Sequence, residues 1–343
     1  MLQELPVEII CAIIRFIGSE ELCRQKARCL LVSKWWHRLA EPILFEDIAL
    51  SAKKFLKLPE SAQVKLTRLT RCLGIFANGK YNLPYDTYEP GRLDEHFRAL
   101  LSHNTWLQSL SLRTSKHFDQ NTQPWTGHCH YLFRWSPAVL IECLGTSNLT
   151  HLSLDTCGSN FKHGTHICPD LASKLPRLQS LRLRMYKICP RVFEIPRNSA
   201  IESIIVNLSL VETHTLSAGF SKHCDGSKSA SDLLVDMLSA AAETAKRISN
   251  LEKWRVLRHK HPTLDMAIYG CVSGSQMILL EEEEWPGAMM DSLTRLSRRC
   301  PIKNSQAILV MALMVMKLIP STWYNKRQGN CLICPGCCLL EKQ

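Results

Sequence analysis

Four copies of a short apolar pattern constrain the fold of this chain more than any other feature of its sequence. Leu-x-x-Leu-x-Leu begins at Leu107, Leu149 and Leu178, and a version with isoleucine and valine begins at Ile201. Successive copies start 42, 29 and 23 residues apart. Alternating leucines bury one face of a short strand, and a neighbouring copy covers the edge of that strand. The pattern therefore predicts a row of short strands, one for each copy.

The stretches between the copies predict how these strands are connected. The segments SPAVLIECLG at 136–145 and CPDLASKLP at 168–176 are helix-like, and each leads into the next copy. Connections of this length allow a crossover, so we expect the strands to be parallel. The first gap also holds a polar and aromatic insertion, HFDQNTQPWTGHCHYLFRW. The alternative is that the pattern recurs by chance in an ordinary α/β sheet.

The part of the chain beyond the copies mixes helix and strand signals. Residues 213–230 are loop-like, and residues 231–258 are predicted to form a helix with Ser231 as its cap. Residues 264–271 and 277–280 are strand-like. This third of the chain either continues the repeating units with longer ones or caps them.

The first fifty residues predict short helices with more apolar surface than so small a core can bury. Pro6 suits the first position of a helix, because its missing N–H costs nothing there. Ile9 and Phe16 lie off the apolar stripe of this helix, so the apolar arc is wider than one core requires. The stripe itself consists of Ile10, Ile13, Ile14 and Ile17.

Breaks in the pattern divide this region into three helices. We expect Gly18 and Ser19 to end the first, a second over residues 20 to about 32, and a third over 33–40 that ends before Pro42. Trp35 and Trp36 cannot share one face of the third helix, because adjacent helical residues point about 100° apart. One indole is expected to pack inward, and the other to meet the rest of the chain or a partner protein.

The order of residues in this region resembles the F-box, with the spacing of fungal members. The resemblance covers residues 2 to about 50 and is carried by Leu5-Pro6-x-Glu8-Ile9 and by Leu31-Val32-Ser33-Lys34-x-Trp36-x-x-Leu39-Ala40-x-Pro42-x-Leu44-Phe45-x-x-Ile48. It implies a three-helix module that docks onto the Skp-type adaptor of a cullin–RING ubiquitin ligase. The residues implied to build the docking surface, or to hold its shape, are Leu5, Pro6, Ile9, Ile10, Ile13, Val32 and Trp36. The alternative is a helical cap of a larger domain.

The four copies are similar to the repeats of F-box proteins that carry leucine-rich repeats. The asparagine that usually follows the strand is missing, since Thr114, Thr156 and Met185 stand there, so we expect an irregular solenoid. The predicted fold class is α/β: a small N-terminal three-helix F-box followed by an irregular leucine-rich-repeat-like solenoid. The predicted domains are the F-box at 1–50, a linker or start of the solenoid at 51–99, the repeat region at 100–300, and a tail at 301–343 that is apolar and then cysteine-rich.

Composition bears on the compartment and on the class of partner. The chain carries sixteen cysteines and opens without a basic signal-peptide region, so we expect mostly free thiols in the cytoplasm or the nucleus. The longest apolar run, residues 307–316, is too short to cross a bilayer, and no membrane span is expected. Net charge is +11, but the basic residues between positions 51 and 80 match no nucleic-acid motif. Nucleic acid is therefore not an expected partner.

Candidate sites for chemistry are few. No phosphate-binding glycine loop, nucleophile elbow or metalloprotease motif occurs, so we predict no catalytic residue, no cofactor and no metal site, and not an enzyme. Some residues have the type or spacing of metal ligands without forming a complete site: His128, Cys129, His130, His163, His166 and Cys168, and the tail cysteines Cys331, Cys334, Cys337 and Cys338. The tail could alternatively be lipidated or lack a fixed structure.

Together these observations predict a substrate-recognition adaptor of a Skp/cullin/F-box ubiquitin ligase. The N-terminal helices would dock the adaptor subunit and the cullin complex, and the repeats would hold an unknown protein substrate. Arg113, Arg182 and Arg184 lie at the strands and could give a basic binding face. The alternatives are a scaffold that uses the same helices without marking proteins for degradation, and a metal protein or enzyme built on the cysteine-rich tail.

Overall fold

A computed structural model describes most of the first 279 residues. The described residues are 5–24, 33–77, 92–113, 137–146, 148–156, 166–210, 219–259 and 266–279. They fall into two compact units. Of the described residues, the first unit holds those up to Ile48 together with 58–70, and the second holds 49–57 and those from 71 to 279.

The described residues form eight α-helices and nine β-strands. The helices are α1 (Val7–Arg24), α2 (Lys34–Glu46), α3 (Ala52–Leu56), α4 (Glu60–Leu69), α5 (Arg92–His103), α6 (Pro137–Thr146), α7 (Cys168–Lys174) and α8 (Ala230–Ala245). The strands are β1 (Asp47–Ser51), β2 (Cys72–Phe76), β3 (Ser109–Arg113), β4 (His151–Asp155), β5 (Ser180–Arg184), β6 (Ser203–Asn207), β7 (Lys253–His259), β8 (Met266–Gly270) and β9 (Ser275–Leu279). Two 3₁₀ helices span Leu175–Arg177 and Pro190–Phe193.

The nine strands form one open sheet in which spatial order follows chain order from β1 to β9. Strands β2 to β7 are parallel, whereas β8 and β9 pair antiparallel. The predicted α/β class and the predicted parallel strands are thus confirmed. Among the described strands the order never reverses, so the sheet has no switch point of the kind where doubly wound α/β proteins bind nucleotides.

The repeated leucines lie in register across the sheet. The first buried position of each strand is occupied by Leu110, Leu152, Leu181 and Ile204, which pair in that order, and the second by Leu112, Leu154, Leu183 and Val206. The same rows continue into β2 through Leu73 and Ile75 and into β7 through Trp254 and Val256. All these side chains are buried. A short strand buries one face by its period of two, so stacked copies build one continuous apolar layer.

A repeated pair of hydrogen bonds joins the starts of neighbouring strands. The carbonyl of Gln108 accepts hydrogen bonds from the N–H groups of both Thr150 and His151. The same pair of bonds recurs at the next two strands, where Thr150 and then Gln179 provide the accepting carbonyl. The repetition therefore extends from the side chains to the backbone.

The helices between the strands pack on one another in the same order as the strands. Helix α5 contacts α6, α6 contacts α7, and both α7 and α8 contact the 3₁₀ helix Pro190–Phe193. Parallel crossovers are right-handed in nearly all proteins, so connections that always move to the same side place their helices on one face of the sheet. The Phe193 and Trp254 rings meet edge to face at 4.9 Å, which puts the helix layer against the buried row of β7.

Two boundaries predicted for the N-terminal helices are wrong. Helix α1 continues through Gly18 and Ser19 to Arg24, and α2 begins after its cap Ser33 as expected but passes Pro42 and ends at Glu46. A proline inside a helix costs about 3 kcal/mol or more. Burial of Ile43 and Leu44 in the core of the first unit offsets that cost, because each side chain contributes about 1.5–3 kcal/mol. The described residues show two helices in this region, and the structure does not describe residues 25–32.

The helix predicted over 231–258 is also wrong in its second half. Helix α8 ends at Ala245, and Lys253–His259 is a strand, with Trp254 and Val256 alternating into the core. The cap is Ser229 rather than Ser231: its hydroxyl accepts from the N–H of Asp232, whose carboxylate accepts from the N–H of Ser229. The predicted strands at 264–271 and 277–280 are confirmed as β8 and β9.

Several predictions fall on residues that the structure does not describe. They include the insertion at 117–135, His128, Cys129, His130, His163 and the whole tail 301–343 with its cysteines. No described helix is both long enough and apolar enough to span a membrane. Strand β2 and helices α3 to α5 begin within residues 51–99, the stretch predicted to be a linker or the start of the solenoid. Strand β1 begins earlier, at Asp47, within the stretch predicted to be the F-box.

Candidate functional site

Helix α1 has two apolar faces, and only one of them is buried. Ile10, Ile13 and Ile14 are buried, whereas Ile17, the fourth residue of the predicted stripe, is partly buried against the same core. Ile9 and Phe16 lie seven residues apart on another face and are 42% and 48% exposed. The predicted excess of apolar surface on this helix is therefore confirmed for the described residues.

The buried face of α1 packs against α2 to form the core of the first unit. Its buried members are Ile10, Ile14, Trp36, Ala40, Ile43 and Leu44. Trp36 is 8% exposed, whereas Trp35 is only partly buried at the edge of this core. One indole packs inward and the other remains half-covered, as the 100° rotation between neighbouring residues requires.

Polar contacts hold α1, α2 and α4 together at the rim of this core. The Arg15 guanidinium donates to the Glu46 carboxylate at 2.9 Å, and the Lys65 ammonium contacts the carboxylate of Glu41. The hydroxyl of Thr70 donates to the carbonyl of Phe45 at 2.9 Å. The first two contacts are partly exposed, so they orient the helices more than they stabilise them.

Asp47 follows the last residue of α2, and the pKa of its carboxyl group is raised. Burial, and next the negative charge of Glu46, raise the pKa of the Asp47 carboxyl to about 7. A carboxylate at the C-terminal end of a helix also faces the negative end of the helix dipole. The end of α2 is therefore sensitive to pH near neutrality.

The residues predicted to dock the ligase adaptor fall into three groups. Pro6 and Ile9 are exposed, and Leu5 is partly buried against the core of the first unit. The other described members, Ile10, Ile13 and Trp36, are buried. Val32 lies outside the described residues. The exposed group can contact a partner directly, and the buried group can only hold the helix in shape.

The face of the sheet opposite the leucine rows is polar and rich in cations. Side chains alternate along each strand, so these positions are the neighbours of the buried leucines. They are Ser109, Ser111 and Arg113 on β3, His151, Ser153 and Asp155 on β4, Ser180, Arg182 and Arg184 on β5, and Lys253 and Arg255 on β7. The three arginines predicted to form a basic face thus lie on one face.

Two of those arginines belong to an ion network around Asp155. Arg184 donates from Nε to one carboxylate oxygen at 2.7 Å and from Nη2 to the other at 2.6 Å. Arg113 Nε lies 3.8 Å from the same carboxylate. Arg184 and Asp155 are both buried. Arg184 therefore serves the structure of this face, because a fork of two short bonds to a buried carboxylate fixes its position.

An apolar cluster lies farther along the sheet, at β6 to β8. Ile205, Leu257 and Ile268 are buried together, and Met266 packs against them. Two of these residues, Ile205 and Leu257, occupy the positions that carry serine or a charge on the earlier strands. The character of this face thus changes from polar to apolar along the sheet.

A cluster of possible metal ligands lies in the second unit, where none was predicted. His166, Cys168, Cys189 and Cys224 place their ligand atoms within 4.8 Å of one another. The sequence signal for it was the pair His166-x-Cys168. The other two ligands come from connections later in the chain, so spacing could not reveal them.

Comparison of the chain with protein-family models gave no match, and comparison with curated proteins gave none either.

Proposed function

We propose that this chain is the substrate-recognition adaptor of a Skp/cullin/F-box ubiquitin ligase. The observation that carries the proposal is the double-faced helix α1, which lies in the segment whose residue order resembles the F-box. The inner face of this helix packs against α2, whereas Ile9 and Phe16 on its outer face are exposed to solvent. Large side chains on an exposed helix face suit a docking surface for another protein.

Covering the exposed side chains of Ile9 and Phe16 would contribute measurably to the free energy of binding. Full burial of one such side chain contributes about 1.5–3 kcal/mol. Ile9 and Phe16 are about half exposed, so covering both in a complex is worth roughly 1.5–3 kcal/mol in total. A loss of that size weakens binding by about tenfold to a hundredfold.

The second unit would hold the substrate. Three features support the interpretation of this unit as an irregular leucine-rich solenoid: the in-register leucine rows, the repeated hydrogen bonds between strand starts, and the unreversed strand order. We place the substrate on the sheet face opposite the helices. Among the described residues of this face the cations outnumber the acids, which suits an acidic segment of a protein.

On this proposal the chain is not itself an enzyme. The conjugating enzyme of the ligase carries out the transfer, and the adaptor raises the local concentration of a substrate lysine beside it. The chain would work in the cytoplasm or the nucleus, where such ligases act.

Co-purification of the full chain with a Skp-type adaptor tests the docking step. We expect Ile9→Glu to abolish co-purification, because the charge would be buried in the interface. Val64→Glu on α4 is the matched control, since Val64 is 44% exposed and lies in the same unit. Equal co-purification of the wild type and Ile9→Glu would refute the assignment of this face.

The second candidate is a scaffold that docks the same adaptor without ubiquitin transfer. Proximity labelling with a proteasome inhibitor separates the two functions. Proteins that are labelled by the full chain and accumulate with the inhibitor, but not with a version lacking residues 1–50, support the ligase adaptor. Labelled proteins whose amounts do not change when the proteasome is inhibited favour the scaffold.

A further inference from the structure

The cluster of His166, Cys168, Cys189 and Cys224 joins three successive connections of the sheet. His166 and Cys168 lie between β4 and β5, Cys189 between β5 and β6, and Cys224 between β6 and β7. Cys168 and Cys189 are buried, Cys224 is partly buried and His166 is exposed. All three cysteines are free thiols. The four side chains thus form a compact group that is most open to solvent at the histidine.

A short parallel bridge explains why Cys189 and Cys224 meet. Lys187 pairs with Lys222, and the N–H of Ile188 donates to the Lys222 carbonyl at 3.0 Å. Residues two positions farther along each strand of such a pair point to the same side. Those residues are Cys189 and Cys224. The fold therefore places them in register across 35 residues of chain.

The distances suit a tetrahedral metal ion. The Cys168 and Cys224 sulfurs are 3.7 Å apart. Zinc–sulfur bonds of about 2.3 Å place two ligand sulfurs of a tetrahedron about 3.8 Å apart. His166 Nε2 lies 3.0 Å from the Cys189 sulfur, against an expected separation of about 3.5 Å, so the exposed ring needs to move outward by about half an ångström. A disulfide between Cys168 and Cys224 would need about 2.05 Å.

We propose that these four residues bind a structural zinc ion. Three thiolates and one imidazole form a closed Cys₃His set with no position left for a substrate. Each thiol loses its proton as its sulfur binds zinc, and the neutral imidazole donates a nitrogen lone pair, so binding releases protons and the site carries a net charge of −1. The ion would link three successive connections of the sheet. The proposal is independent of the ligase function.

Metal analysis of the full chain, purified in reducing buffer without chelator, tests the proposal. A background with serine at Cys331, Cys334, Cys337 and Cys338 removes the competing cysteine-rich tail. We expect about one zinc per chain in this background and, after exchange, the visible absorption of tetrahedral Co²⁺ with thiolate charge-transfer bands. Zinc well below one per chain without that spectrum, or iron in its place, would overturn the proposal.

Single substitutions in the same background assign the ligands. We expect Cys189→Ser to lose the zinc and Cys271→Ser, the control outside the cluster, to keep it. His166→Ala changes an exposed residue, so the fold is expected to persist while competition with a chromophoric chelator shows zinc affinity at least about tenfold lower. A Cys189→Ser chain that keeps its zinc, or a His166→Ala chain with unchanged affinity, would refute the assignment.

Discussion

The buried ion pair between Asp155 and Arg184 allows a quantitative test of the sheet face. The Arg184 side chain is 3% exposed and donates two hydrogen bonds to Asp155. Asp155→Ala removes the carboxylate and leaves a guanidinium buried without its anion. Breaking a buried pair in this way costs about 3–5 kcal/mol. We therefore expect the free energy of unfolding of the second unit to fall by that amount.

Arg113 provides the internal comparison. It lies 3.8 Å from the same carboxylate and its side chain is 30% exposed, so Arg113→Gln should cost less than about 1 kcal/mol. Replacement of both buried partners by apolar residues, as in Asp155→Leu with Arg184→Met, is expected to cost much less than Asp155→Ala alone.

Urea unfolding followed by circular dichroism measures these differences. A double-mutant cycle on Asp155 and Arg184 isolates the pair, because the other interactions of each residue cancel. A coupling energy of about 2 kcal/mol or more is expected. A cost below about 1 kcal/mol for Asp155→Ala would refute the reasoning, since it would mean that Arg184 does not depend on this carboxylate.

Three further substitutions test the fold and the pH response. The raised pKa of Asp47 lets the folded state keep a proton that the unfolded state loses, so the free energy of unfolding should fall as pH rises from about 4 to 7. Asp47→Asn should flatten this pH profile in thermal melts and stabilise the protein by about 1–2 kcal/mol at pH 8. An unchanged profile would contradict the assignment. Leu183→Ala should lower the free energy of unfolding in urea by about 2–5 kcal/mol, because Leu183 is fully buried in β5. Val235→Ala, on the exposed face of α8, should lower it by less than about 0.5 kcal/mol. Equal losses would disprove the leucine rows. Ser229→Ala removes the cap of α8 and should cost about 1 kcal/mol, whereas Ser229→Gly should cost only a few tenths if the cap is the cause.

The sequence predicted the strands wherever leucine repeats at a period of two. The pattern misses β2 and β7 as members of the same rows, because Thr70 and Trp254 stand where it has leucine. The strong helical pattern of residues 231–245 predicts a helix that continues through 253–259, where the structure has a strand. Propensity is a weak guide at such a boundary, and pairing with β6 and β8 decides it.

The two candidate sites differ in how far local sequence could reveal them. The exposed Ile9 and Phe16 follow from helical periodicity alone, because a stripe of isoleucines defines the inner face and leaves them outside it. The Cys/His cluster could not be found in this way. Cys168 and Cys224 are 56 residues apart, and the pairing of Lys187 with Lys222 brings the last cysteine into place.

The most direct test of the docking proposal is an equilibrium titration of the full chain with a purified Skp-type adaptor. The proposal predicts saturable one-to-one binding that Ile9→Ser with Phe16→Ser weakens by about tenfold to a hundredfold, while Val64→Ser leaves the Kd unchanged. Absence of binding by the wild type, or equal affinities for all three proteins, would contradict the claim that the outer face of α1 is a docking surface.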